Sequence, residues 1–371
     1  MISNSGRLSG MLLFIVGEMP LLTFAANAVR IAPVPRDPLE LVSGPVEVAN
    51  TPASREAALQ LLSRARQSFA LRSSGQGFDL KVSFMADSGG QTNYDGAWQM
   101  EDLFAPKLGH RWTAAAASGF TITGLATGGK IYGEGTASAV PLRLLEARGM
   151  LFDPIQSTAM ANRGSIRTST ASFRGATVTC VLLSGSRNAV NPSLGRGWEE
   201  GEECIDPQSG LLQVHSEVPG HYAVYEYSNA PQFAGHVMPR SVTLTEAGRT
   251  VSKVSVESLR GLTAPDANLF VPTEAMKAGE PATAMTSARK IVRVQGQGPL
   301  AGAATMRAVC VYGIVTATGQ LVEAHSLQPS DPNSQAAVDD AKAIDFSPTI
   351  PAGAPPRQHF VFVIEKFVGQ E

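Results

Sequence analysis

No catalytic signature runs through this chain. It has no HExxH, no CxxC, no Walker phosphate loop and no G-x-S-x-G elbow, so the commonest zinc, dithiol, P-loop and serine chemistries have no starting point. Gly296, Gly298 and Gly302 form only G-x-G-x-x-x-G, interrupted by Pro299 and outside any strand–helix–strand unit, which excludes a dinucleotide fingerprint. Charge is also sparse: charged residues make up 17% of the chain and the net charge is −2. Without a basic stripe, charge-driven nucleic-acid binding is excluded. The longest apolar stretch, residues 11–25, is shorter than the ~20 residues a membrane-spanning helix needs. Cysteine is limited to Cys180, Cys204 and Cys310.

Glycine and proline are plentiful instead, 36 and 24 residues, and apolar residues make up 43%. That mixture favours many short strands and turns around real cores, and a chain of 371 residues suggests two domains, or one large domain and one small one. The N-terminus has the parts of an export signal: Arg7, the apolar stretch 11–25, and Ala26-Asn27-Ala28 as a small-x-small cleavage site. Glu18 and Pro20 interrupt it. Residues 1–28 therefore read as a signal peptide, with an uncleaved anchor or ordinary sequence as alternatives. No cysteine lies near enough to carry a lipid.

Residues 29–53 read as a Pro- and Val-rich linker. A helix follows, with Thr51 as its cap and Pro52 at its first position. Ala58, Leu61, Leu62, Ala65 and Phe69 fall on one stripe. From Gly77 the pattern changes to strands, beginning with Phe78, Leu80, Val82 and Phe84 in alternation, and a second helix is expected over 140–150. A hairpin turning at Ala247-Gly248 closes the series. Short turns between strands predict an antiparallel, up-and-down sheet, and about ten such strands must curl. Residues 276–304 read as a second linker, holding one short strand at 290–296 that can join the C-terminal unit.

Cys180 and Cys204 lie in strand-like segments close enough to face one another. In an exported chain they can bridge; otherwise they are two separate buried thiols. Cys310 reads as a small buried hydrophobe. His215, His221 and His236 can meet on adjacent strands, but fit no known metal spacing, and satisfied or surface histidines are the plainer reading. The run from Trp198 to Glu203 (WEEGEE) reads as a solvated acidic loop.

The last segment is expected to run strand, tight turn at Thr318-Gly319, strand, a helix capped by Ser334, and a final strand at 359–367 that is apolar on both faces. Its matching stretches are residues 311–316, Ala317-Thr318-Gly319-Gln320-Leu321, Ala336-Ala337-Val338, Asp345-Phe346-Ser347-Pro348 and the closing Phe367. Over residues 305–371 this resembles the C-terminal domain of the TonB family. It departs where that family usually has an aromatic near Asp345, and where energy-transducing members have a long Pro-rich spacer instead of a β-rich domain. The resemblance implies a periplasmic interaction module to which a partner can add a strand at an exposed edge, with Phe360, Phe362 and Ile364 as the candidate partner-binding residues; the alternative is that the module dimerises or packs on the rest of the chain.

Residues 54–275, with an opening helix, the strand at 78–84 and the stretch CIDPQSGLLQVHSEVPGHYAVYEY, resemble the LolA/LppX class of lipoprotein-carrier half-barrels. That implies a concave apolar face able to shelter acyl chains, with Trp98, Phe104, Trp112, Phe120, Ile122 and Tyr132 as candidate lining; the alternative is that these side chains fill a closed core. The expected fold is thus α+β: a large curved antiparallel sheet, half-barrel-like, with an N-terminal helix, then a small ββαβ TonB-like domain. The expected function is that of a non-enzymatic exported envelope protein, without cofactor or nucleic acid, whose C-terminal module binds an envelope protein and is linked to transport across the envelope. The alternative is a periplasmic lipid or lipoprotein carrier. Either places it in the periplasm, anchored to the inner membrane if the N-terminal segment is retained.

Overall fold

The computed structural model describes residues 30–31, 41, 46–87, 94–136, 142–155, 164–185, 195–278, 289–295, 304–316, 318–347 and 359–370. The expected signal at 1–28 lies outside them. The alternating segments form strands, numbered here in chain order: β1 (Arg30–Ile31), β2 (Glu47–Val48), β3 (Phe78–Ala86), β4 (Gly96–Ala105), β5 (Gly109–Ala116), β6 (Thr121–Thr127), β7 (Lys130–Gly135), β8 (Ser165–Phe173), β9 (Ala176–Ser184), β10 (Gly201–Ile205), β11 (Leu212–Val218), β12 (His221–Glu226), β13 (Gln232–Phe233), β14 (His236–Val237), β15 (Ser241–Glu246) and β16 (Arg249–Gly261). Thirteen of them form one sheet in the order β2-β8-β9-β10-β11-β12-β15-β16-β3-β4-β5-β6-β7. Every neighbouring pair is antiparallel. The β15–β16 turn sits at Ala247-Gly248, both with positive φ (51° and 77°), the backbone of a right-twisting two-residue hairpin. Among the described residues β2 and β7 do not pair with each other, so the sheet is open and not a closed barrel.

Helix α1 (Pro52–Phe69) starts with the expected cap. Ser54 N donates to Thr51 Oγ1 at 3.1 Å, and Thr51 N donates to Ser54 Oγ at 3.2 Å, satisfying two of the N–H groups a helix start leaves open. Its predicted stripe, Ala58, Leu61, Leu62, Ala65 and Phe69, is buried. Helix α2 (Leu142–Phe152) supplies Leu144, Ala147, Met150 and Leu151 to the same core. That core takes residues from β8 at one end of the sheet and from β6 near the other. Thirteen flat strands would span roughly 55–60 Å, so the sheet must wrap around the two helices, which lie on its concave face.

Gly124 on β6 shows how closely that face is filled. A Cβ there would lie 2.2 Å from Trp112 Nε1, since Trp112 on the paired β5 lies flat across it. Gly124→Ala is therefore expected to lose about 1–3 kcal/mol through overpacking. Urea unfolding and tryptophan emission test this; unchanged stability with unchanged emission would contradict it.

The convex face is covered in two patches. Short helix α3 (Glu274–Ala278) and the turn Ala267–Phe270 bring Met276 and Phe270 onto Leu103, Ala105 and Leu125. At the other end Val46 and Leu41 pack over Phe173, Leu182, Tyr222 and Val224. The C-terminal unit is a second sheet. It comprises β17 (Arg289–Gln295), β18 (Ala304–Val315), β19 (Leu321–Ser326) and β20 (His359–Gln370), with helix α4 (Ser334–Lys342) and β1 added in parallel to β18. β1 falls within the segment read as the first linker, and β17 is the short strand expected at 290–296, joined to the C-terminal unit through β20. Asn333, not Ser334, occupies the α4 cap position; the Ser334 hydroxyl instead donates to the Gln328 carbonyl. One face of the second sheet packs under α4 through Val309, Val311, Val361 and Val363; the other packs on the large sheet through Tyr312, Phe360, Phe362 and Ile364.

Candidate functional site

Strand register decides where the six candidate lining residues go. Pairing of Phe84 with Trp98, Asp102 with Trp112 and Ala114 with Ile122 puts Trp98, Phe104, Trp112 and Ile122 on the concave face. Trp98, Trp112 and Ile122 are buried against the helices; Phe104 and Phe120 are half-buried and pack on the same core. Phe120 meets Tyr94 edge-on at 4.9 Å, and Trp98 Nε1 donates to the Tyr94 carbonyl at 2.9 Å. Tyr132 is on the opposite face. Its partner across the ladder is Leu125, and both join the cluster under Phe270 and Met276. It thus belongs to the convex packing and not to the groove.

Charge pins α2 to the sheet at both ends. At its start, Arg143 Nη1 donates to Glu146 at 2.7 Å and to Glu246 at 2.6 Å, while its guanidinium carbon lies 5.2 Å from the Tyr312 ring centre. Burial lowers the Arg143 pKa, but Tyr312, Glu146 and Glu246 outweigh it and the net direction is up. Burial likewise raises Glu246, yet Arg143, His325 and His221 hold it well below the usual carboxylate range. An ionised Glu246 can only accept, so His325 Nε2 donates to it at 2.8 Å. His221 Nε2 lies 3.1 Å from Glu146. Helix, large sheet and C-terminal unit meet in this one cluster.

At the far end Arg148 Nη1 donates to Asp102 at 2.6 Å and stacks 4.4 Å above Trp112. Asp102 also faces His110 Nε2 at 2.7 Å. Burial raises Asp102, but Arg148 and His110 overcome it and its pKa is lowered. Burial lowers His110, outweighing Asp102, so a neutral imidazole donates from Nε2.

The WEEGEE run is not a solvated loop. Glu200, Glu202 and Glu203 are buried. Arg167 Nε donates to Glu200 at 2.7 Å, Arg196 Nη1 to Glu202 at 3.0 Å, and His215 Nδ1 lies 3.0 Å from Glu203. Sequence reading missed Arg167 and Arg196 because the first lies far away in the chain; the second, two residues before Trp198, was the available signal. The three histidines do not converge: His215 meets Glu203, His221 meets Glu146, and His236 donates to the Gln67 carbonyl at 2.6 Å. Among the described residues, two donor sets are tight enough for a metal. Arg143 already fills the cation position between Glu146 and Glu246. In the other, Cys180 and Cys204, direct cross-strand partners, form a disulfide, which removes the thiolates.

Phe360, Phe362 and Ile364 are buried on a central strand. β20 pairs with β18 on one side and β17 on the other, and these side chains contact the cluster of Leu145, Trp198 and Val218. They sit at the junction with the large sheet rather than at a border. Gly220 belongs to the same junction: its φ is +90°, and a Cβ would lie 2.8 Å from Leu327. Gln328 Nε2 beside it donates to the Pro219 carbonyl at 3.0 Å.

No family model matches the chain, and no curated protein does; the TonB resemblance thus has no support outside the sequence pattern. Similar solved structures include a LolA superfamily protein from Nitrosomonas europaea, at 13% identity over 58% of this chain and 97% of that one, with a TM-score of 0.36. MucB is similar at 12% identity over 59% of this chain and 63% of that one, with a TM-score of 0.28. A MucA/MucB complex from Pseudomonas aeruginosa is similar at 12% identity over 71% and 82%, with a TM-score of 0.26. At these scores the likeness carries no functional argument. No helix among the described residues is long and apolar enough to cross a membrane.

Proposed function

We propose that the chain is an exported, non-catalytic envelope protein that carries an acyl-bearing amphiphile, a lipid or a lipidated protein, on the concave face of its large sheet. The observation that carries this reading is Ile131 on the edge strand β7, the one large apolar side chain on the concave face that is left exposed among the described residues. Ile131 faces the concave side opposite Ala126 and is 53% exposed, and Ala126 across the ladder is half-buried. Met85, Leu269 and Val271 are also exposed, as single apolar side chains on a surface commonly are; Ile131 differs in facing the side the helices fill, which supports an apolar occupant there. Export is supported by the Cys180–Cys204 disulfide, since such bonds persist in oxidising compartments. Burial of Phe360, Phe362 and Ile364 at the junction favours a clamping role for the C-terminal unit over strand addition through these residues.

Native mass spectrometry of the full chain purified from a periplasm tests the reading. Acyl-lipid adducts are expected, together with retention of a fluorescent acyl probe. Ile131→Glu should weaken a neutral acyl probe about tenfold or more, the cost of losing one buried aliphatic contact, without loss of stability. A protein free of lipid that retains no probe ends the carrier reading.

A further inference from the structure

The rim of this end of the sheet holds an unbalanced group of cations. Arg72, on the single turn Leu71–Ser74 that follows α1, is exposed, and its guanidinium carbon lies 5.7 Å from the Phe152 ring centre. Arg148 lies 5.4 Å from the same centre, and the His110 ring meets Phe152 edge-on at 6.3 Å. Two guanidinium groups therefore gather at one aromatic ring. Asp102 is fully buried and already engages Arg148 and His110. Asp153 pairs with Arg66 at 3.3 Å and is 71% exposed. Partial burial lowers the Arg72 pKa, and the charges of Asp102, Arg148 and Asp153 all reach it, but among the described residues it makes no hydrogen bond to a carboxylate. Arg72, Arg148 and Asp102, with a neutral His110, leave one net positive charge. That charge sits where Phe152 and, across the ladder from His110, Ala126 lead to Ile131.

A stacked guanidinium still presents edge N–H donors in the planar fork that fits a carboxylate or phosphate; Arg148 already gives one to Asp102, so Arg72 is the donor at the rim. We propose that Arg72, beside Arg148 at the Phe152 ring, docks the anionic head group of an amphiphile whose acyl chain lies against Ile131 on β7. This rests on the carrier reading and names the chemical class it selects: carboxylate- or phosphate-headed lipids over neutral ones.

The test uses the full chain, dansyl-undecanoate, its neutral methyl ester, and inorganic phosphate as competitor. The wild type should bind the carboxylate about tenfold more tightly than the ester, the strength of one charge-assisted hydrogen bond. Arg72→Gln should abolish most of that preference and leave ester binding unchanged. Arg64→Gln, on the exposed side of α1, should behave as wild type. Equal binding of the two probes by the wild type, or a preference that survives Arg72→Gln, overturns the head-group site while sparing the carrier reading. Failure to bind either probe overturns both. Complete displacement of the carboxylate probe by millimolar phosphate would assign the cluster to free anions and overturn the amphiphile.

Discussion

Replacing Arg143 with Met is expected to destabilise the folded chain by about 3–5 kcal/mol, because removing one partner from a buried charge cluster strands the others. Arg143 is the cation that Glu146 and Glu246 share, and both carboxylates are buried. His221 and His325 contact the same carboxylates but replace only part of the lost hydrogen bonding. The pH dependence gives a second reading of the same event. In the wild type the depressed pKa of Glu246 contributes stability that is present above the ordinary glutamate value of ~4.3 and is lost as pH falls towards the folded value. In the variant, burial acts without Arg143 and raises that carboxyl, so its ionisation costs stability at neutral pH, and acid relieves the cost. The gap between the two proteins should be widest at pH 7 and narrow towards pH 4.5 in urea unfolding. A gap that stays constant across this range, or a neutral effect at pH 7, would show that the cluster does not depend on Arg143 for its charge balance.

Removing the disulfide is the second large effect. Cys180 and Cys204 are 24 residues apart, and a closed loop of that size stabilises by about 3 kcal/mol in the chain-entropy model. The double variant Cys180→Ala, Cys204→Ala should unfold at a correspondingly lower urea concentration, with a further loss from the space vacated, since both residues are fully buried among Val178, Leu182, Val214 and Tyr222. Gel mobility should shift on reduction of the wild type alone. A non-reducing peptide map with both thiols free, or an unshifted unfolding midpoint, would refute the bridge.

Local periodicity alone placed a good deal. The stripe from Ala58 to Phe69, its Thr51 cap, the alternation beginning at Phe78 and the turn at Ala247-Gly248 depend on neighbours a few residues away, where spacing and backbone preference decide the outcome. The two apolar faces of β20 also read correctly as covered on each side, since alternation cannot hide a strand apolar throughout. What failed were statements about partners. Tyr132 looked like groove lining, yet parity along β7 turns it to the convex face. Glu200, Glu202 and Glu203 looked solvated, yet Arg167, Arg196 and His215 reach them. Phe360, Phe362 and Ile364 looked available, yet Leu145, Trp198 and Val218 cover them.

The amino-acid order by itself determined the type of most main elements, the antiparallel class of the large sheet, and the cysteine pair able to bridge it, because these follow from side-chain period and short turns. Only the tertiary structure decided which charges are buried, which face each strand shows and what lies against the C-terminal sheet. The reason is that burial and ion pairing depend on contacts between residues tens to hundreds of positions apart, as between Arg143 and Glu246, and no local pattern encodes which distant side chain arrives.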